Sequence, residues 1–232
     1  VSGSERSSRS AYFLRETANI VRLLFTDHRA GRLRLGRGVG VLRAAVLFRD
    51  CTCGDLVNAS GNVRVVAAGT VHIGDRCQFA GGMATTELLC HEGALLSIGG
   101  HAFFNYGVSV EAVSSVRIGE RCLFGSMARI RDAGELGTLP VVIGDDVWVA
   151  HGAIIEPGSV IGDGSVVGAG SVVRGVVPPR SLALGNPAVC VPLVGKRAVA
   201  PSARRSESSS LGPTRSAVVA APAPRVGSGE SR

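Results

Sequence analysis

The sequence predicts an all-β fold, a parallel β-helix, and three observations predict it. A large aliphatic residue recurs every six positions at Ile143, Val149, Ile155, Ile161, Val167 and Val173, with glycine directly after it in IGDDVW, IGDGSV and VGAGSV. Glycine makes up 32 of the 232 residues, about twice the usual share. Aromatic residues are only 4 %, against 45 % hydrophobic overall. A helical bundle would not tolerate that glycine content, because each interior glycine costs about 1 kcal/mol. A wholly disordered chain would not carry that much apolar side chain. Collagen is excluded because the glycines do not recur every third residue.

The six-residue step is neither a helix period nor a hairpin pattern. Three hexads make one coil of 18 residues, so Ile98, Ile118, Ile143 and Ile161 are expected to stack along one inner edge. Coils stacked at strand spacing bury each aliphatic between its equivalents above and below, and the glycine after it permits a tight corner. Such a repeat is a β-helix signature. Breaks in the step locate loops. Ile98 to Ile118 is 118 − 98 = 20 residues, two over a coil, and Ile118 to Ile143 is 143 − 118 = 25, seven over, which places a loop at about 131–141.

Taken in order, residues 1–30 form an N-terminal unit in which Tyr12, Phe13, Leu14, Ile20, Val21, Leu23, Leu24 and Phe25 mark one amphipathic helix. The β-helix domain is expected over 31–194. Residues 195–232 mix Pro, Ser, Ala, Gly and Arg without periodicity and are expected to be a disordered basic tail.

Charge follows the same division. Residues 1–49 carry 10 − 3 = +7, residues 50–194 carry 8 − 13 = −5, and residues 195–232 carry 7 − 2 = +5, which sums to the net +7. The folded centre is acidic and the basic excess sits in solvated ends, which argues against nucleic acid as a partner. No apolar run reaches the roughly 18 residues of a membrane span, and no secretory pattern opens the sequence, so a cytoplasmic protein is expected. Cys51, Cys53, Cys77, Cys90, Cys122 and Cys190 lack zinc-site spacing and are expected to be reduced thiols serving as small apolar side chains, with no metal.

The stretch VVIGDDVWVAHGAIIEPGSVIGDGSVVGAGSVVRGVVPPRSLALGNPAV, with Trp148, the coil glycines, Pro178-Pro179 and Gly185-Asn186-Pro187-Ala188, resembles the hexapeptide-repeat acyltransferases. These are left-handed β-helix proteins, and the resemblance, over about 70–191, is greatest to the maltose and galactoside O-acetyltransferase branch. It implies the left hand of the helix. It also implies a homotrimer that binds an acyl-CoA, usually acetyl-CoA, in clefts between subunits and passes the acyl group to a hydroxyl of a sugar or other small acceptor.

In that branch the base is a histidine in a loop, and here Glu135 of Ile130-Arg131-Asp132-Ala133-Gly134-Glu135 stands at its position. Asn105 in Phe104-Asn105-Tyr106-Gly107 matches the asparagine that lines the family's active site. An asparagine there orients the acceptor or donates to the developing oxyanion. His151 lies two residues after Val149 and is expected to stack above Ser126 and Tyr106, where it would serve as a substitute base. Glu135 and His151 therefore remain alternatives. Ala150, Gly168 and Ala169 match the small residues past which the pantetheine chain runs. Arg174, with Arg180, Lys196 or Arg197 as substitutes, supplies the cations that CoA phosphates need. The other reading is a trimeric β-helix scaffold that has lost the base histidine and with it the activity.

Overall fold

Three parallel sheets form the three faces of a β-solenoid of about seven coils in this computed structural model. It describes residues 31–135 and 137–193; the expected helix over 10–26 and the basic tail lie outside the described residues. Face 1 consists of Thr52–Cys53, Thr70–Ile73, Leu95–Ile98, Ser115–Ile118, Val141–Ile143, Val160–Ile161 and Val176–Val177. Face 2 consists of Asn58–Ser60, Gln78–Ala80, Phe103–Phe104, Leu123–Phe124, Trp148–Val149, Val166–Val167 and Ser181–Gly185, closed by the antiparallel Ala188–Pro192. Face 3 consists of Val63–Ala67, Thr86–Cys90, Ser109–Ala112, Arg129–Arg131, Ile154–Ile155 and Val172–Val173.

The hexad spacing becomes register. Ile73, Ile98, Ile118, Ile143, Ile161 and Val177 pair in sequence up face 1. Phe79, Phe104, Phe124, Val149, Val167 and Ala183 do so up face 2. Val110, Ile130, Ile155 and Val173 complete the core from face 3. All are at most 4 % exposed. The alternate residues of each strand point outward, as the period of two requires.

The acid of the Ile-Gly-Asp motif caps the coil below. Asp75 Oδ1 accepts the Asp55 N–H at 2.7 Å, Asp145 Oδ1 that of Glu120 at 2.8 Å, and Asp163 Oδ1 that of Asp145 at 2.9 Å. A corner amide that no strand can pair is satisfied in this way.

The excess residues are accommodated at the corner between faces 3 and 1. The two extra residues between Ile98 and Ile118 lengthen the strands Ser109–Ala112 and Ser115–Ile118. The seven extra between Ile118 and Ile143 include a small antiparallel hairpin, Ala133–Gly134 with Gly137–Thr138. At its base Asp132 is fully buried, and its carboxylate accepts the N–H groups of Val113 (2.8 Å), Ser114 (2.7 Å) and Ser115 (2.6 Å).

One boundary differs from the expectation. Residues 31–47, assigned above to the β-helix, form a helix, α1 (Gly31–Leu47), and the first strand begins at Thr52. The glycines in this segment hide its helical character from propensity. The decisive feature is the buried stripe Val41, Ala44, Ala45 and Phe48, spaced i, i+3, i+4, i+7. Phe48 then covers the open end of the core, with its ring centroid 5.0 Å from that of Phe79.

Candidate active site

Six-residue steps put the same three positions of every coil at the corner between faces 2 and 3. Successive coils place there Asn105-Tyr106-Gly107, Gly125-Ser126-Met127, Ala150-His151-Gly152 and Gly168-Ala169-Gly170. The peptide N–H groups climb the stack: Asn105 donates to Phe124 O, Gly125 to Val149 O, Ala150 to Val167 O and Gly168 to Ala183 O, all within 2.7–3.0 Å. The third position needs a positive φ, which Gly107, Gly152 and Gly170 supply and which Met127 adopts at 61°. At Gly125 the coils approach so closely that a Cβ would lie 2.6 Å from the backbone nitrogen of His151.

His151 sits where its spacing predicts. Its Nδ1 is 2.7 Å from Ser126 Oγ, one coil below. Ser126 is buried while the imidazole is exposed, so the hydroxyl fixes the ring and leaves Nε2 facing solvent. One further coil down, Asn105 is half-buried, and its Oδ1 accepts the Tyr106 N–H at 2.8 Å. That commits the amide oxygen and leaves Nδ2 as a donor. Thr86, fully buried, donates to Ala80 O (2.8 Å) and lies 3.1 Å from Asn105 O, tying the Asn105 backbone to the neighbouring loop. The sequence reading named neither Ser126 nor Thr86 as a site residue. Ser126 was detectable because it shares a coil position with His151. Thr86 carried no such mark.

Glu135 is not at this corner. It lies exposed on the hairpin at the corner between faces 3 and 1, separated from Asn105 and His151 by the width of face 3. One cation lies near it among acids: Arg131, whose guanidinium donates to Glu156 Oε1 at 2.8 Å, is held further toward its charged form by Glu156 and, to a lesser degree, by Glu111 and Glu135. The structure thus brings Asn105 and His151 to one edge of a protomer and puts Glu135 on the other.

The expected cofactor-binding residues also divide. Ala150, Gly168 and Ala169 stand above Asn105 at the corner between faces 2 and 3, with Ala169 exposed and Ala150 half-buried. Gly168 is buried under the Leu184 side chain, which fills the space a Cβ would need. Arg174 is exposed at the edge between faces 3 and 1, and Arg180 at the corner between faces 1 and 2 with φ 54°. Among the described residues no three His, Cys, Asp or Glu side chains converge on a point where a metal ion would sit. No described helix is long and apolar enough to cross a membrane.

Residues 140–175 match the family model described as bacterial transferase hexapeptide (six repeats). Over those residues the chain carries a hexapeptide repeat. It is 44 % identical over 111 residues to Nodulation protein L of Rhizobium meliloti (strain 1021), covering 43 % of this chain and 60 % of that protein. The chain therefore spans about 60 % of the length of this curated relative. Among solved structures with hexapeptide repeats, it is similar to an acetyltransferase from Vibrio cholerae O1 biovar eltor complexed with acetyl coenzyme A. That likeness is at 24 % identity over 82 % of this chain and 89 % of that one, with a TM-score of 0.44. It is also similar to a maltose O-acetyltransferase from Clostridium difficile 630, at 22 % identity over 82 % and 88 % of the two chains, with a TM-score of 0.41.

Proposed function

We propose that the protein is an acyl-CoA-dependent O-acyltransferase, with acetyl-CoA as donor and a hydroxyl of a sugar or small molecule as acceptor. The observation that carries this reading is the Ser126–His151 pair on the same corner as Asn105, with His151 inside the matched transferase repeat. With Nδ1–H donating to Ser126 Oγ, the imidazole presents a basic Nε2. The acceptor O–H gives its proton to Nε2 as its oxygen attacks the thioester carbonyl carbon. Asn105 Nδ2–H donates to the oxyanion that forms. The tetrahedral species collapses by breaking the C–S bond, and the proton on Nε2 passes to the departing CoA sulfur. No acyl-enzyme is needed.

In this reading the working unit is a homotrimer in the cytoplasm. Glu135, at the far edge of face 3, reaches an Asn105–His151 corner only from a neighbouring copy, where it orients the acceptor or assists the base. Ala150 and Ala169 border the pantetheine path, and Arg174 and Arg180 are the described candidates for the CoA phosphates. The inactive-scaffold reading draws on Glu135 standing in place of the family histidine. Thermal unfolding against rising acetyl-CoA, with free CoA and ATP alongside, separates the two. A CoA-specific rise in midpoint, growing with concentration as mass action requires, supports the transferase. A folded protein with no rise at millimolar acetyl-CoA refutes it.

A further inference from the structure

Face 3 presents charged residues outward, and nearly every one is paired. Arg64 meets Glu87 at 3.4 Å, His91 Nε2 meets Glu111 at 3.0 Å, and Arg131 meets Glu156 at 2.8 Å. Arg129 is the exception beside the His151 corner. It is exposed, it has no side-chain partner among the described residues, and its register neighbours on the sheet are Ser109 and Ile154, neither of which carries charge. It follows Ser126 by three residues around the corner, and its N–H donates to Ala153 O at 2.9 Å, two residues past His151. Arg174 is the other unpaired described cation of this face, but it lies at the opposite edge, beside Gly175.

A second feature adjoins the same corner. Tyr106, next to Asn105, is pinned by the loop around Gly82, where a Cβ would come 3.2 Å from the tyrosine Cβ and Cγ. A half-buried aromatic on the coil below an unpaired guanidinium, at the same corner, suits a ligand with an apolar ring face and an anionic substituent.

We propose that Arg129 recognises a carboxylate or phosphate on the acceptor, so that the hydroxyl compound acylated at the His151 corner is an anionic sugar. This rests on the transferase reading. Left unpaired, the guanidinium is ready to form a bidentate, charge-assisted contact without first breaking an internal one. One corner turn of three residues separates it from Ser126, so a ligand that reaches both the guanidinium and His151 spans that corner.

The test uses the full chain, acetyl-CoA, and three acceptors: a neutral methyl hexoside, the matching hexuronate and the matching hexose 6-phosphate. CoA release gives kcat and KM, and light scattering gives the oligomeric state. Turnover should favour an anionic acceptor over the neutral one by about 10- to 100-fold in kcat/KM, the worth of one hydrogen bond to a charged group. Preference for the hexuronate names a carboxylate, and preference for the hexose phosphate names a phosphate. Arg129→Gln should erase that preference through KM, leaving neutral turnover and the acetyl-CoA-dependent midpoint unchanged, and Arg129→Lys should restore part of it. Equal loss with neutral and anionic acceptors, no anionic preference in the wild type, or a changed oligomer in Arg129→Gln overturns the proposal. If no acceptor is turned over, the transferase reading fails separately. Arg129 is then judged by whether millimolar hexuronate or hexose phosphate raises the unfolding midpoint of the wild type but not of Arg129→Gln; no rise overturns it.

Discussion

The coils before the hairpin at 133–138 and those after it solve the same packing problem with different side chains. The early coils fill face 2 with a stack of phenylalanines, Phe79 on Phe104 at 4.8 Å and Phe104 on Phe124 at 4.6 Å. The late coils put Val149, Val167 and Ala183 in those positions. Outside, the order reverses. Face 1 shows His72, Ser97 and Arg117 on the early coils, but Val142, Val160 and Val176 on the late ones, with Val176 71 % exposed. Face 3 changes likewise at its outward positions, from Arg64, Glu87 and Arg129 to the half-buried Ile154 and the buried Val172. The early coils are closed by their own core and wet outside. The late coils have a leaner core and an apolar exterior suited to contact with another surface. The His151–Ser126 pair spans the junction, its serine on the last early coil and its histidine on the first late one.

Breaking the early core should have the largest effect. Phe104→Ala removes the middle ring of a fully buried stack and should cost about 3–5 kcal/mol in denaturant unfolding, whereas Val167→Ala in the late coils should cost about 1–2 kcal/mol less than that. Equal losses would erase the contrast.

The polar anchors should differ next. Asp132→Ala strips three corner amides of a buried acceptor and should cost about 2–4 kcal/mol. Asp163→Ala, an exposed cap of a single amide in the late coils, should cost about 1 kcal/mol. Denaturant midpoints at constant m-value measure both.

Alkaline pH probes the early coils selectively. Burial, the first cause in each case, pushes the thiols of Cys77 and Cys122 from 9.0 up to about 11 and about 12. Below pH 9 they are neutral in both states and the full stability is present. Above it the unfolded chain ionises while the folded chain does not, so stability falls as pH rises toward the folded values. Replacing both with alanine, the residue at the equivalent position 102, should flatten the wild-type decline in melting temperature between about pH 9 and 11. An undiminished decline would place its origin elsewhere.

The smallest effect on folding, and the one that bears on the late exterior, is expected from Val160→Glu. It should change the monomer's stability by no more than about 0.5 kcal/mol while lowering the mass seen by light scattering. Arg117→Ala, its early counterpart on face 1, should leave the mass unchanged.

The same contrast explains what the sequence made legible. From Ile143 to Val173 nothing interrupts the six-residue step, so register and core are legible there in the sequence alone. His151 stacks on Ser126 for the same reason, since one coil position is simply read across to the next. Earlier, the step is broken by strands lengthened in pairs and by a hairpin, and Thr86 and Asp132 act through contacts between segments 17–19 residues apart, which no fixed period marks. Helix α1 was missed because its glycines argue against a helix, whereas packing of one narrow stripe on the core decides it. The motif match put Glu135 at the family's base position, but it could not show that face 3 separates it from Asn105 within a protomer.

The most direct test of the central claim, that the corner bearing His151 is where acyl transfer occurs, is the steady-state rate of CoA release by the wild type, His151→Gln and Glu135→Gln with the best acceptor. The account predicts that His151→Gln lowers kcat by at least about 100-fold while the acetyl-CoA-dependent rise in unfolding midpoint persists, and that Glu135→Gln retains a larger share of the rate. Wild-type turnover by His151→Gln would contradict it.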